Sequence, residues 1–178
     1  MNYIMVKTHK KKISNGKSSS SKRSQTPYIK KWLKETKRYY EHLSPAEVEL
    51  LRKFSKGENV DQMEVRRKIL YAPTIMEPIV LWVGSRRPLF DNINIGDEVV
   101  SDRIIHASLD KRVAINFSSG TLSKLTINPG TKCLYLMASA FPNEKTVLIP
   151  PGSYFSVKSR TPKVTEFVVE NLYFGGRK

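Results

Sequence analysis

The spacing of apolar residues changes at Pro73. Before it, apolar positions recur at helical intervals; after it, they run together or alternate as they do in strands. From Pro27 onward, Tyr28, Ile29, Trp32, Leu33, Tyr39 and Tyr40 make an amphipathic stripe, with Lys30, Lys31, Lys34, Lys37 and Arg38 on the remaining surface. Thr26 is placed to cap this helix, and Pro27 suits its first turn. Ser44-Pro45-Ala46-Glu47 has the form of a capping box with proline at the first helical position. Val48, Leu50, Leu51 and Phe54 follow, and Gly57 stops the helix. A third helix is predicted from Asp61 to Leu70, carrying Met63, Ile69 and Leu70, with Pro73 ending it.

Beyond Pro73, Ile79–Val83 reads as a buried strand, and so do Val99–Ile105, Leu122–Ile127, Leu134–Met137, Val147–Ile149, Tyr154–Val157 and Val164–Tyr173. Gly96, Gly120, Pro129-Gly130 and Pro151-Gly152 supply turns, and a short helix from about Asp110 to Phe117 interrupts the strands. Helices first and strands afterwards predict an α+β fold. Three regions are expected: a basic arm over 1–26, a helical segment over 27–72 and a β-rich domain over 73–178.

Composition narrows the function classes. With 178 residues, 39% of them hydrophobic, the chain can bury a real core. No apolar run approaches the roughly 20 residues that span a bilayer, and no secretory leader pattern is present. Cys133 is the only cysteine, which excludes an internal disulfide and a cysteine-built zinc site. Its apolar neighbours predict a buried, inert thiol. His9, His42 and His106 are scattered, and Asp91, Asp97, Asp102 and Asp110 lie near loops, so no metal site is predicted. The net charge of +15 is concentrated at the start. Ten basic residues precede the first acid, Glu35. Within the arm, Lys7, Lys10, Lys11, Lys12, Lys17, Lys22 and Arg23 form a segment that attracts polyanions; nucleic acid, an anionic membrane face and an acidic protein all qualify. Such binding reads phosphates rather than base edges.

Three local signatures stand in order in the β-rich part. Val80-Leu81-Trp82-Val83-Gly84 is an apolar strand closed by glycine. His106-Ala107-Ser108-Leu109-Asp110-Lys111 is a small-residue turn leading into a short helix. Asn143-Glu144-Lys145-Thr146-Val147-Leu148-Ile149-Pro150-Pro151-Gly152-Ser153 is an acidic approach to an apolar strand followed by a Pro-x-Gly turn. Over about residues 75–174 the chain resembles the ADP-ribosyltransferase superfamily, particularly toxin-like and phage-encoded mono-ADP-ribosyltransferases. The resemblance implies helices ahead of two small packed β-sheets, with NAD in a cleft between them. It also implies an arginine on the first strand that grips the dinucleotide, a serine at the turn and a glutamate entering the third motif. The carboxylate stabilises the oxocarbenium-like charge that develops as the nicotinamide–ribose bond breaks.

This chain departs at all three centres. The arginine position matches Val83, the first serine matches His106 while Ser108 is kept at the third position, and the catalytic glutamate matches Thr146 while Glu144 remains two residues earlier. The resemblance therefore implies a degenerate enzyme: Glu144 and Thr146 at the catalytic positions, and Val83, Arg86, Arg87 and Ser108 at the cofactor side. Arg86-Arg87 reads as an exposed loop pair in preference to a phosphate site, and His106 as a strand-end histidine satisfied locally in preference to a general base. The expected function is a catalytically inactive, basic structural or nucleic-acid-associated component of a larger assembly such as a virus particle. No cofactor is then needed, with NAD bound only if the cleft remains functional. The location is expected to be intracellular or within the particle. The alternatives are an active mono-ADP-ribosyltransferase acting on a protein acceptor, and a nucleotide-binding regulator without turnover.

Overall fold

The computed structural model describes residues 27–171. The arm, with Lys7, Lys10, Lys11, Lys12, Lys17, Lys22, Arg23 and the Thr26 cap, lies outside the described residues, as does the predicted end of the last strand at Tyr173. Among the described residues, α1 (Pro27–Glu41), α2 (Pro45–Ser55) and α3 (Gln62–Tyr71) precede β1 (Ile79–Ser85), β2 (Glu98–Val100), β3 (Ile105–Ser108), α4 (Lys111–Phe117), β4 (Thr121–Ile127), β5 (Leu134–Tyr135), a 3-10 turn (Pro142–Glu144), β6 (Thr146–Ile149), β7 (Ser153–Arg160) and β8 (Val164–Asn171). The architecture is α+β.

The helix boundaries follow local chemistry. Ser44 and Glu47 complete a reciprocal capping box at α2, which satisfies backbone donors that a helix start leaves open. Gly57 takes a left-handed φ of 74° just past its end, a conformation that needs no Cβ to be moved aside. Asp61 caps α3, accepting from Met63 N at 2.8 Å.

The strands form one ladder in the order β2-β7-β8-β4-β1-β3-β6-β5. All pairings are antiparallel except β4 with β8. The join between β1 and β3 is a single pair, Trp82 opposite Ser108. A five-stranded part and a three-stranded part therefore meet at one point. The two parts share an apolar cluster that includes Leu81, Ala107, Leu125, Val147, Phe155 and Phe167, and Trp32 of α1, fully buried, joins it. A second cluster sets Leu51, Phe54, Val65 and Ile69 of α2 and α3 against Leu134, Leu136 and Leu148. β6 consequently has all four residues buried, because both its faces are covered.

One predicted strand proves to be two. Val99–Ile105 divides into β2, which pairs with β7 at one edge, and β3, which pairs with β6 in the other part. The break is at Ser101, whose hydroxyl donates to Arg103 O at 2.7 Å and accepts from Arg103 N at 3.3 Å. Apolar alternation alone cannot distinguish one strand from two separated by such a turn. Cys133 is fully buried, and burial pushes its thiol pKa up.

Candidate functional site

The single β1–β3 pair brings the motifs together. Trp82 stands opposite Ser108, and Ser108 stands opposite Thr146. Since directly paired residues of antiparallel strands point to the same side, these three side chains share one face. The row extends outward through Lys124, opposite Trp82, to Glu166, opposite Lys124; those two form an ion pair of 3.0 Å. Val83 belongs to the other face. Side chains alternate along a strand, and Val83 lies with Ile79 and Leu81 in the core cluster, 8% exposed.

Ser108 connects the second and third motifs. Its buried hydroxyl donates to Glu144 O at 2.7 Å and accepts from Asp110 N at 3.0 Å. Leu109 N donates to Lys145 O at 3.2 Å. Asp110 caps α4 by accepting from Arg112 N at 3.0 Å, and its carboxylate holds the Lys145 ammonium at 2.9 Å. That lysine hydrogen bond leads the causes that lower the Asp110 pKa. Lys145 has a left-handed backbone, φ 49° and ψ 45°, an uncommon state for a residue with a Cβ. The strain falls between the two candidate catalytic positions. Glu144 is half-buried in the 3-10 turn, and burial raises its carboxyl pKa. Thr146 is buried, and its carbonyl accepts from Leu136 N at 2.9 Å.

Two cations stand near the row. The Lys111 ammonium sits 4.7 Å from the Trp82 ring centroid, a cation–π distance. The second is Lys145, already held by Asp110. Arg86 and Arg87 are exposed beyond β1, where Ser119 Oγ donates to Arg86 O at 3.0 Å. Among the described residues neither guanidinium has an ion-pair partner. His106 stacks on Phe54 with ring centroids 5.1 Å apart. Desolvation lowers the imidazole pKa, although the residue as a whole is exposed.

Packing beside the row, on the same face of β1, is tight. A Cβ added at Gly84 would lie 1.6 Å from Ala114 O; α4 rests directly on β1. The deeper concavities are elsewhere. A groove of about 1140 Å³ lies between α3 and the β4–β5 connection. A pocket of about 110 Å³ includes Ser123 and Thr165 in its wall. Val83, Ser108, Glu144 and Thr146 line neither. Among the described residues no cluster of three His, Cys, Asp or Glu side chains is placed to hold a metal, and no helix is long and apolar enough to cross a membrane.

Solved structures share this arrangement. Plx2a, an ADP-ribosyltransferase toxin from Paenibacillus larvae, superposes with a TM-score of 0.65 over 80% of this chain and 94% of its own, at 12% identity. The C3 exoenzyme of Clostridium limosum gives 0.61 over 81% and 93%, at 16% identity. The fold is that of ADP-ribosyltransferases. In sequence, the domain is 40% identical over 81 residues to human ecto-ADP-ribosyltransferase 5, covering 46% of this chain. The bovine counterpart is 37% identical over 76 residues. The chain spans about a quarter of the length of these curated relatives. No family model matches. Among the structural neighbours, exoenzyme S from Pseudomonas aeruginosa was solved bound to carba-NAD, at a TM-score of 0.52 and 20% identity over 84% of this chain and 87% of its own.

The three sequence signatures fall on β1, β3 and β6, which the ladder brings side by side. The motif order missed Trp82 as the residue facing Ser108, and it missed Lys111 and the Asp110–Lys145 pair. The short helix was legible from about Asp110, although Asp110 proves to be its cap rather than its first residue. The Trp82 pairing was not legible, because register between distant strands leaves no local mark.

Proposed function

We propose that this domain retains the ADP-ribosyltransferase scaffold without its transfer chemistry, and acts as a basic structural or nucleic-acid-associated component of a larger assembly such as a virus particle. The observation that carries the reading is Thr146: the residue at the expected carboxylate position is uncharged, and it stands directly opposite Ser108. A hydroxyl cannot face a developing cation with negative charge. Removing one electrostatic contact of this kind costs on the order of 3 kcal/mol of transition-state stabilisation. The position expected to grip the dinucleotide is a second loss, since Val83 is apolar and part of the core cluster. Val83 therefore supplies no charged grip for the NAD pyrophosphate. The unopposed charge from Lys7 to Lys34 supports the polyanion part of the reading.

The test uses the full chain. Nicotinamide release from NAD should stay at the uncatalysed rate. Turnover that disappears in Glu144→Gln would refute the reading. Thr146→Glu, alone and with Val83→Arg, asks whether these positions can restore cleavage. For the arm, changing Lys10, Lys11 and Lys12 to alanine should weaken nucleic-acid binding and flatten its logarithmic salt slope by about 2 to 3, the counterion release of three phosphate contacts. An unchanged slope would refute the arm's role.

A second reading is an active transferase moving ADP-ribose from NAD to a protein acceptor through Glu144. What favours it is the Ser108 hydroxyl, which holds the Glu144 backbone beside the row. Against it, Glu144 lies in the 3-10 turn ahead of β6, and the residue paired with Ser108 is Thr146.

A further inference from the structure

We propose that the groove between α3 and the β4–β5 connection binds single-stranded nucleic acid, independently of the arm. One side of the groove is a stripe on α3. Val65 and Ile69 turn inward and are fully buried. Met63, Arg67 and Tyr71, spaced by four residues, line the groove, and they span about 12 Å along the helix axis. Met63 is 63% exposed and Tyr71 is 72% exposed. An aromatic ring so open to water, at the end of a stripe that also holds a cation, has the makings of a stacking platform.

The charges suit a phosphodiester backbone. Among the described residues Arg67 forms its ion pair with Glu64 on its own helix, at 2.9 Å and largely exposed, and such a pair gives way to a phosphate at little cost. Opposite, Lys132 donates to Ala72 O at 2.9 Å. An ammonium has three donors, so two directions remain. Partial burial lowers the Lys132 pKa, and an anion beside it would counter that desolvation. The one carboxylate among the described residues of the groove wall, Glu170, already accepts from Asn128 Nδ2 at 2.6 Å. The groove, at about 1140 Å³, is large enough to admit an unpaired base with its phosphates. A duplex keeps its bases stacked away from Tyr71, and an acidic peptide would meet the cations but leave the ring unused.

The full chain would be mixed with a labelled oligothymidylate strand, a hairpin duplex of equal charge, or polyglutamate. Tyr71→Ala should weaken the single strand about tenfold, in line with the loss of one stacked base, and leave the duplex unaffected. Tyr71→Phe should bind as the parent does. Photocrosslinking of a 5-iodouracil strand should mark the peptide holding Tyr71. The proposal is overturned if Tyr71→Ala binds unchanged, if crosslinks fall only within residues 1–26, if polyglutamate competes as well as the oligonucleotide, or if the single strand does not bind. Neutralising Lys10–Lys12 tests the arm separately, so either site can fail without the other.

Discussion

The two faces of the sheet at the β1–β3 join have different characters. On one face Leu81, Leu125, Phe167 and Val157 pair across four strands as a continuous buried row. On the other, Glu166, Lys124, Trp82, Ser108 and Thr146 pair across five strands as a mostly polar row. The apolar face has what an ADP-ribosyltransferase scaffold needs in order to fold. The polar face carries Ser108, whose buried hydroxyl is hydrogen-bonded to Glu144 O and Asp110 N. The apolar core and the polar row thus lie on opposite sides of the same strands, so substitutions on one face can be read separately from those on the other.

Four perturbations break or sharpen that contrast. The largest is Phe167→Ala. Phe167 is 1% exposed and packs edge-on to Phe90 and Phe155, with centroids at 5.8 and 6.0 Å. Truncation should cost about 3–5 kcal/mol in urea unfolding. A value below about 1 kcal/mol would mean that the apolar row is not where stability lies. Next is Gly84→Ala, which drives a methyl into the Ala114 carbonyl. Overpacking of this kind should cost roughly 3 kcal/mol and lower Tm by about 10 °C in a chain of this size.

Ser108→Ala probes the polar face. It removes two hydrogen bonds from a buried hydroxyl and should cost about 1–2 kcal/mol. It should also raise amide exchange at Asp110, whose N–H loses its acceptor. The smallest effect is expected for Asp110→Asn, under about 1 kcal/mol, because its lysine partner is exposed. Here pH gives a signature. Asp110 has a folded-state pKa below its ordinary value. Its contribution is therefore full above the unfolded pKa of about 4 and is lost as pH falls through the lower folded value. The stability gap between parent and variant should close in acid; a gap that widened would contradict the Lys145 pairing.

Much of the fold was legible in the chain itself. The Ser44–Glu47 capping box and the Gly57 stop are local, because each requires only residues within a few positions of one another. The apolar runs marked most of the strands for the same reason. The division of 99–105 was not legible, since it depends on which distant strand each half meets. At the site, the apolar pattern marked the strands that carry Val83 and Ser108, while Glu144 falls in a 3-10 turn ahead of β6. That pattern could not show that Val83 turns into the core while Thr146 stands opposite Ser108.

The sequence by itself determined the helix caps, the turn glycines, the strength of the basic arm's charge and the identity of the substituted residues. These follow from composition and from spacings of a few residues. Only the tertiary structure decided that Trp82, Ser108 and Thr146 form one row, that Lys145 is held by Asp110, and that Met63, Arg67 and Tyr71 border a groove with Lys132 across from them. Those facts depend on strand register and helix docking, which are settled by burying apolar surface between segments far apart in the chain.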